Sequence, residues 1–239
     1  MKKLVFYVLS LFSLIVIWQI AAWHIANPFI FPNPVNVFNS VIDLLTTFST
    51  YQIIVSSILR LFISISIALI SGIIFGFLGG LNQNIRMFLT PYVSGLRSLP
   101  VASLIAIILI LFASETAIFV IGFLVLFPII YEATKEGIIN IDKPLKDALR
   151  LEPSLILLNF IYFYIPLAYP YIKTGILQSI GLGFKVLVMA EFIAQTQNSI
   201  GRSLNVGRIN FEYDTVFAWT IIIIIIVFII EISVNKLKA

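Results

Sequence analysis

The sequence contains no cysteine and only one histidine, His24. Without cysteine there are no disulfides, thiolate metal sites or cysteine nucleophiles, and one histidine gives no basis for a histidine metal site. No Gly-x4-Gly-Lys-Ser/Thr phosphate loop occurs, so the chain does not bind ATP in that way. Glu115 and Glu191 belong to no carboxylate pair or Ser/His/Asp arrangement in the sequence. We therefore predict no catalytic residue, no metal site and no enzymatic activity.

Charged residues are also scarce, at 11% of the chain, while hydrophobic residues make up 60% and the mean hydropathy is +1.09. A soluble domain carries about 25% charged residues, so this composition indicates an integral membrane protein. At about 20 apolar residues per span, the chain accommodates about six helices and one sizeable loop. We predict an all-α membrane protein with a single transmembrane domain over residues 1–239.

The net charge of +4 is compatible with nucleic-acid binding, but the basic residues are scattered singly near the ends of apolar segments. That distribution orients a protein in a membrane and does not form a nucleic-acid surface. With six spans and both termini in the cytoplasm, Arg202 and Arg208 are the only basic residues of the predicted outer loops. This asymmetry agrees with the positive-inside rule, so we predict cytoplasmic termini.

The N-terminal pattern, Lys2 and Lys3 followed by the apolar residues 4–22, is shared by signal peptides and first membrane helices. The apolar stretch is longer than a signal core and no clear Ala-x-Ala cleavage site follows, so we favour a retained first helix. Pro32-Asn33-Pro34 then predicts an external turn. A short amphipathic helix at the outer surface is expected over residues 35–49.

The second predicted span, residues 52–80, contains Gly72, Gly76 and Gly80 at intervals of four. This spacing places the glycines on one helix face, which permits another helix to approach closely. Tight packing is the main interpretation, and a flexible gate is the alternative. Arg60 lies in the outer half of the same span. It either extends toward the interface or pairs with the backbone, or it faces a translocation path for an anionic solute.

Lys185 and Glu191 fall in and just after the fifth predicted span, residues 166–190. They are too far apart around a helix to pair in the usual i, i+3 or i+4 way, so each needs another partner or water. Together with Arg60 they are the candidate pathway residues. The third span is predicted to begin near Pro91, and the fourth is predicted to end near Tyr131. The last span covers residues 215–234, and a polar outer loop over residues 192–214 precedes it.

The longest interruption of the apolar pattern covers residues 134–175 and is rich in charge in its first half. A central Asp, Lys or Arg costs about 2.5–3.5 kcal/mol in hydrocarbon, so this half lies in water. Pro144 suits the first turn of a helix, and Pro153 ends or kinks one. We therefore predict a short cytoplasmic helix from about Pro144 to Leu151, within a loop over residues 132–165.

This loop resembles the coupling loop of ABC importer permeases of the nitrate, sulfonate and taurine branch. Asp147-Ala148-Leu149 stands at the Glu-Ala-Ala places of the family motif, Pro153 at its Gly place, and Ile165-Pro166 at its final hydrophobic-Pro pair. The preceding Gly137–Asp142 stretch is similar to the family's Gly-Val-x-Asn-Val-Asp. The coupling residues that this resemblance implies are Gly137, Asp142, Asp147, Ala148, Leu149, Arg150, Pro153 and Pro166.

The resemblance implies a type I ABC importer permease with a cytoplasmic coupling helix. Such a subunit forms the pathway for a small solute of the nitrate, sulfonate, taurine or vitamin-precursor class, delivered by an extracytoplasmic binding protein. It also implies separate ATPase subunits that bind ATP and Mg, and a second permease copy, identical or related. The expected location is a bacterial or archaeal inner membrane, and no cofactor is expected in this chain.

Two other functions stay open. A secondary transporter often has inverted repeats with broken helices, and no such repeat is evident between the two halves of the sequence. A non-transporting membrane scaffold protein would not depend on an ATPase partner. A charged cytoplasmic loop in a chain that lacks a nucleotide site favours the permease, because a rigid surface helix can transmit motion from an ATPase.

Overall fold

The computed structural model describes residues 2–27, 30–142, 144–145 and 160–236 of the chain. Its described elements are helices, as the sequence predicts, and α7 continues directly from a π-helical turn at Phe160–Tyr164. The helices are α1 (Lys2–Ile25), α2 (Pro34–Thr46), α3 (Phe48–Leu81), α4 (Gln83–Ser98), α5 (Val101–Leu111), α6 (Ser114–Ile139), α7 (Ile165–Ala194), α8 (Ile200–Ile209) and α9 (Tyr213–Lys236).

Long apolar helices account for most of the predicted spans. The bent pair α4 and α5 makes a fifth span if it crosses the membrane once. The predicted first span corresponds to α1, whose apolar segment is Phe12–Ile25. The expected number of about six is therefore approximate. The four segments that are long and apolar enough to cross alone are Phe48–Leu81, Ser114–Ile139, Phe160–Ala194 and Tyr213–Ser233.

The predicted third span was wrong in its form, because it is two helices bent by 101° and not one helix from Pro91. α4 begins earlier than expected, where the Asn82 side chain accepts a hydrogen bond from the Asn84 amide at 2.8 Å. The bend falls at Leu99 and Pro100. A proline disfavours helical conformation in the residue before it, and Leu99 is extended, with φ −67° and ψ 129°.

The segment 192–214 was predicted as an outer polar loop, but it contains the helix α8. Ser199 caps this helix by accepting a hydrogen bond from the Arg202 amide at 3.1 Å. Ile200, Gly201, Asn205 and Gly207 of α8 are buried. Tertiary packing of this kind outweighs the low helix propensity of glycine, which explains why the sequence pattern misled.

The chain forms two compact units, of which the first consists of residues 1–57 and 191–229. The predicted surface helix is present as α2, which packs Val37 and Val41 against Ala218 of α9. Trp18 of α1 stacks on Phe217 of α9, with ring centroids 5.6 Å apart. These contacts join the N-terminal residues of this unit to its C-terminal segment.

The second unit consists of residues 58–190 and 230–239. One part of its core lies between α3 and α6, where Ala68, Leu126 and Ile130 are fully buried. Another part brings Phe77 of α3 against Tyr164, with ring centroids 5.3 Å apart. α3, α6 and the start of the α7 span therefore form the packed centre of this unit.

The three spaced glycines of α3 face α6 within the second unit. A Cβ atom added at any of them would lie closer than 3.0 Å to an atom of α6, a separation that real Cβ atoms essentially never show. The glycines thus allow the two helices to approach more closely than any side chain would permit. The closest carbon or carbonyl atoms would be Ile130 Cγ2 at 2.7 Å from Gly72, Thr134 Cβ at 2.7 Å and Tyr131 O at 2.8 Å from Gly76, and Ile138 Cβ at 2.6 Å from Gly80.

Candidate functional site

One face of α7 is exposed along most of the helix and carries polar groups. Tyr171, Thr174, Gln178 and Lys185 are all exposed, and they recur at spacings that place them on one side of a helix, together with the exposed apolar residues Leu182 and Met189. Lys185 is the residue of this face that bears a charge, and a lysine near the bilayer centre costs about 2.5–3.5 kcal/mol. Lipid is therefore an unfavourable neighbour for this face of α7.

A cavity of about 610 Å³ opens beside the first half of this face, between α6 and α7. Its wall on α6 includes Glu132 and Glu136, and both carboxylates form salt bridges with Lys135. Arg97 of α4 and Gln178 of α7 also line it. The cavity is thus bordered by groups of both charges, which suits water or a polar solute.

A second cavity, of about 440 Å³, lies beside the same face of α7 at Lys185. Its walls include Lys185 and Gln178 of α7 and Glu231 of α9. An added Cβ at Gly181 would lie 3.2 Å from Glu231 Oε1, so the glycine allows this carboxylate to lie against α7. Gln178 borders both cavities, and the two cavities therefore follow one face of the helix.

The Glu191 carboxylate is fully buried in the first unit. The Ser57 hydroxyl donates to it at 2.8 Å from Oε1, and the Gly201 amide donates to Oε2 at 3.2 Å. The Ile200 amide donates to the Ser57 hydroxyl oxygen at 3.1 Å. Together with the Ser199 cap, these bonds satisfy the first three amides of α8, and a carboxylate at a helix N-terminus is electrostatically favourable.

Arg60 of α3 is 9% exposed and pairs with Glu115 in the first turn of α6. Arg60 Nη2 lies 3.2 Å and Nε 3.3 Å from Glu115 Oε2. The Glu115 side chain is 53% exposed, so this is a partly screened ion pair at the end of a helix. Among the candidate pathway residues, Lys185 alone lies on the polar face of α7, and the role of all three as pathway residues stays a prediction.

Three of the predicted coupling residues can be placed. Gly137 lies in α6, where an added Cβ would be 2.9 Å from Ala168 Cβ of α7. Asp142 is exposed just after α6, and Pro166 is exposed in the first turn of α7. Asp147, Ala148, Leu149, Arg150 and Pro153 lie outside the described residues, so the coupling helix stays a prediction.

Two residues of these arrangements were not singled out from the sequence. Glu231 is an isolated acid directly after the apolar run that ends at Ile230, and that position is a signal that identifies it. Ser57 carries no such signal, because serine is unremarkable in a membrane helix and Glu191 is distant in sequence. Within the described residues no group of three or more His, Cys, Asp or Glu side chains is arranged to hold a metal ion.

Residues 68–238 match the family described as binding-protein-dependent transport system inner membrane component. The matched region begins within α3 and extends through α9, so it includes the polar face of α7 and both of its cavities. It also includes the loop whose motif suggested the resemblance.

Individual transport proteins are similar over most of the chain. The taurine transport system permease protein of Escherichia coli is 25% identical over 229 residues, which cover 92% of this chain and 82% of that protein. A probable ABC transporter permease protein of Brucella melitensis is 26% identical over 203 residues, covering 83% and 82%. The bicarbonate transport system permease protein of Synechococcus elongatus is 32% identical over 152 residues, covering 62% and 53%.

Proposed function

The chain belongs to the family of binding-protein-dependent transport system inner membrane components, and we propose the place that it occupies in such a system. It is a membrane-embedded permease subunit of an ABC importer, from a family of transport subunits and not of enzymes. We propose that the polar face of α7 borders the path of the solute. The observation that carries this proposal is a lysine, Lys185, exposed on a polar stripe of a helix long enough to span the membrane.

The proposed solute is small and carries an oxyanion group, such as a sulfonate or a carboxylate. The names of the similar permeases, which refer to taurine and bicarbonate, support this class. Lys185 supports it as well, because a cation that lines the path of a solute attracts an anion and repels a cation.

The proposed assembly contains several other subunits. A separate ATPase binds ATP and Mg and lies against the cytoplasmic loop, and an extracytoplasmic binding protein delivers the solute. A second permease copy, identical or related, supplies the opposite wall of the path. This arrangement would cover the polar face of α7 with water and protein in place of lipid.

The orientation proposed for this subunit has both termini in the cytoplasm. Because the chain has no cysteine, single cysteines can be introduced without background. Ile30→Cys and Ser203→Cys are expected to react with an impermeant thiol reagent added outside intact cells, and Lys146→Cys is expected to react only after the membrane is opened. The opposite pattern of labelling would rule out this orientation.

The ATPase contact is tested in the loop. Asp147→Lys combined with Ala148→Trp is expected to lower the amount of ATPase that co-purifies with the permease by about tenfold or more, since loss of a docked interface residue costs about 2 kcal/mol or more. Transport driven by ATP is expected to fall with it, while yield and elution in size exclusion stay unchanged. The measurement is ATPase co-purification from membranes that contain all subunits.

Asp43→Lys is the matched control, because Asp43 is exposed on α2 and the proposed orientation places α2 at the outer surface. It makes the same charge reversal on the opposite side of the membrane and is expected to leave co-purification unchanged. Equal ATPase recovery from the double variant and from the unaltered chain would remove the mechanical support for the proposed assembly.

A further inference from the structure

The exposed side of α7 differs from the exposed side of a lipid-facing span. Between residues 171 and 189 the exposed positions of α7 include both polar and apolar side chains, namely Tyr171, Thr174, Gln178, Leu182, Lys185 and Met189. The exposed positions of α3 over a similar length are apolar, namely Phe62, Ile63, Ile67, Ile70, Ile74, Phe75 and Leu78. The contrast within one unit indicates that α3 presents a surface to lipid and that α7 presents one to a polar medium.

The cavity of about 440 Å³ at Lys185 has charges of opposite sign on two helices. The Lys185 ammonium belongs to α7 and the half-buried Glu231 carboxylate belongs to α9. These two groups form no salt bridge with each other or with another described residue. Each charge within the span is therefore available to a ligand or to water.

A ligand with a single charge satisfies only one wall of this cavity. A simple oxyanion would gain from Lys185 and would also face the Glu231 carboxylate, which repels it. A small zwitterion satisfies both groups, because its anionic end can lie at Lys185 and its ammonium end at Glu231. The Gln178 amide, on the same wall of the cavity, can donate to the anionic end and accept from the ammonium end.

We propose that Lys185 and Glu231 form a specificity-determining charge pair in the solute path, selecting a small zwitterion that carries a sulfonate or carboxylate group. This proposal rests on the proposed function, because it assigns the α7 face to the path of an importer. It goes further by naming Glu231 and by distinguishing a zwitterion from a simple anion.

Thiol labelling tests the pair without a transported solute. Gln178→Cys is introduced into the full chain, in membrane vesicles that contain the partner subunits, and its reaction rate is measured with an anionic reagent, methanethiosulfonate ethylsulfonate, and with its trimethylammonium counterpart. Ile70→Cys on the apolar face of α3 is the matched control and is expected not to react. Gln178→Cys is expected to react with both reagents.

Neutral variants then separate the two charges. Adding Lys185→Gln is expected to lower the ratio of anionic to cationic rate by about three- to tenfold, and adding Glu231→Gln to raise it by a similar factor. Dividing the rate ratio of each variant by the rate ratio of the Gln178→Cys chain cancels the difference in intrinsic reactivity between the two reagents. Lys185→Arg and Glu231→Asp keep the charges and are expected to keep the ratio, which separates a charge effect from a disturbed fold.

Three results would overturn the proposal. If Gln178→Cys reacted as slowly as Ile70→Cys, no aqueous path would border α7. If Glu231→Gln left the ratio of anionic to cationic rate unchanged, the cavity would be a site for simple anions and not for zwitterions. If Lys185→Gln left that ratio unchanged, the cavity would not attract anions. Because labelling needs no ATP, it can fail while the ATPase still co-purifies, so failure of this pair is distinguishable from failure of the importer assignment.

Discussion

Gly76→Ala is expected to lower the thermal midpoint of the purified permease by about 2–12 °C, because overpacking a close contact costs about 1–3 kcal/mol and a domain of this size shifts by about 2–4 °C per kcal/mol. The new methyl group would lie 2.8 Å from the carbonyl oxygen of Tyr131 and 2.7 Å from Thr134 Cβ. Neither atom is the end of a flexible side chain, so α3 and α6 must separate. The measurement is the fraction that remains monodisperse in size exclusion after heating.

Gly95→Ala is the matched control, since a Cβ added at Gly95 of α4 has no atom within 4 Å. The same substitution there gains helix propensity, worth up to about 1 kcal/mol, and creates no contact. We expect an unchanged or slightly raised thermal midpoint. Equal effects of the two substitutions would show that Gly76 does not require close packing of α6.

Glu191→Ala is expected to accelerate amide hydrogen exchange in α8 by about 10- to 100-fold. The variant removes the acceptor of the Gly201 amide and of the Ser57 hydroxyl, and a hydrogen bond to a charged group contributes about 1.5–3 kcal/mol. Both donors are buried and would be left without this partner. Exchange measured by mass spectrometry on peptides that cover residues 200–209 reports the change directly.

Graded variants distinguish this network from a general loss of stability. Glu191→Gln keeps one carbonyl acceptor and is expected to have a smaller effect than Glu191→Ala. Ser57→Ala should accelerate α8 exchange, whereas Ser66→Ala on the same helix should not, because the Ser66 hydroxyl donates only within α3, to Phe62 O at 2.8 Å. Unchanged α8 exchange in Glu191→Ala would mean that the helix does not depend on this carboxylate.

The sequence predicted the class of fold because the signal is carried by composition and by long apolar runs. It also indicated the glycine face of α3, since a spacing of four is a local property of a helix. It did not identify α6 as the helix against which Gly76 packs, because a contact partner is not encoded locally. The resemblance drawn from the Asp147–Pro166 motif is confirmed at the level of the family by the match over residues 68–238.

The parts that sequence reasoning missed depend on tertiary contacts. The helix α8 has glycines at Gly201 and Gly207 and was predicted as a loop, but its first amides are satisfied by Ser57, Glu191 and Ser199. The break at Pro100 was not predicted, because the third span was taken as one helix from Pro91, although Ser94, Arg97 and Ser98 make the residues before the proline polar. Glu231 was overlooked although a lone acid after an isoleucine run is visible in the sequence, and it gains meaning only beside Lys185.

The first unit is built from two segments that are distant in sequence, which determines when its contacts can form during synthesis. Residues 1–57 belong to one compact unit with residues 191–229, and the contacts of Trp18 with Phe217, of Ser40 with Asp214 and of Ser57 with Glu191 all join these two segments. Translation proceeds from the N-terminus, so none of these contacts can form while residues 58–190 are being made. A nascent chain therefore carries its first membrane segment without its final partners through most of its synthesis, and a chain terminated early at residue 190 never acquires them.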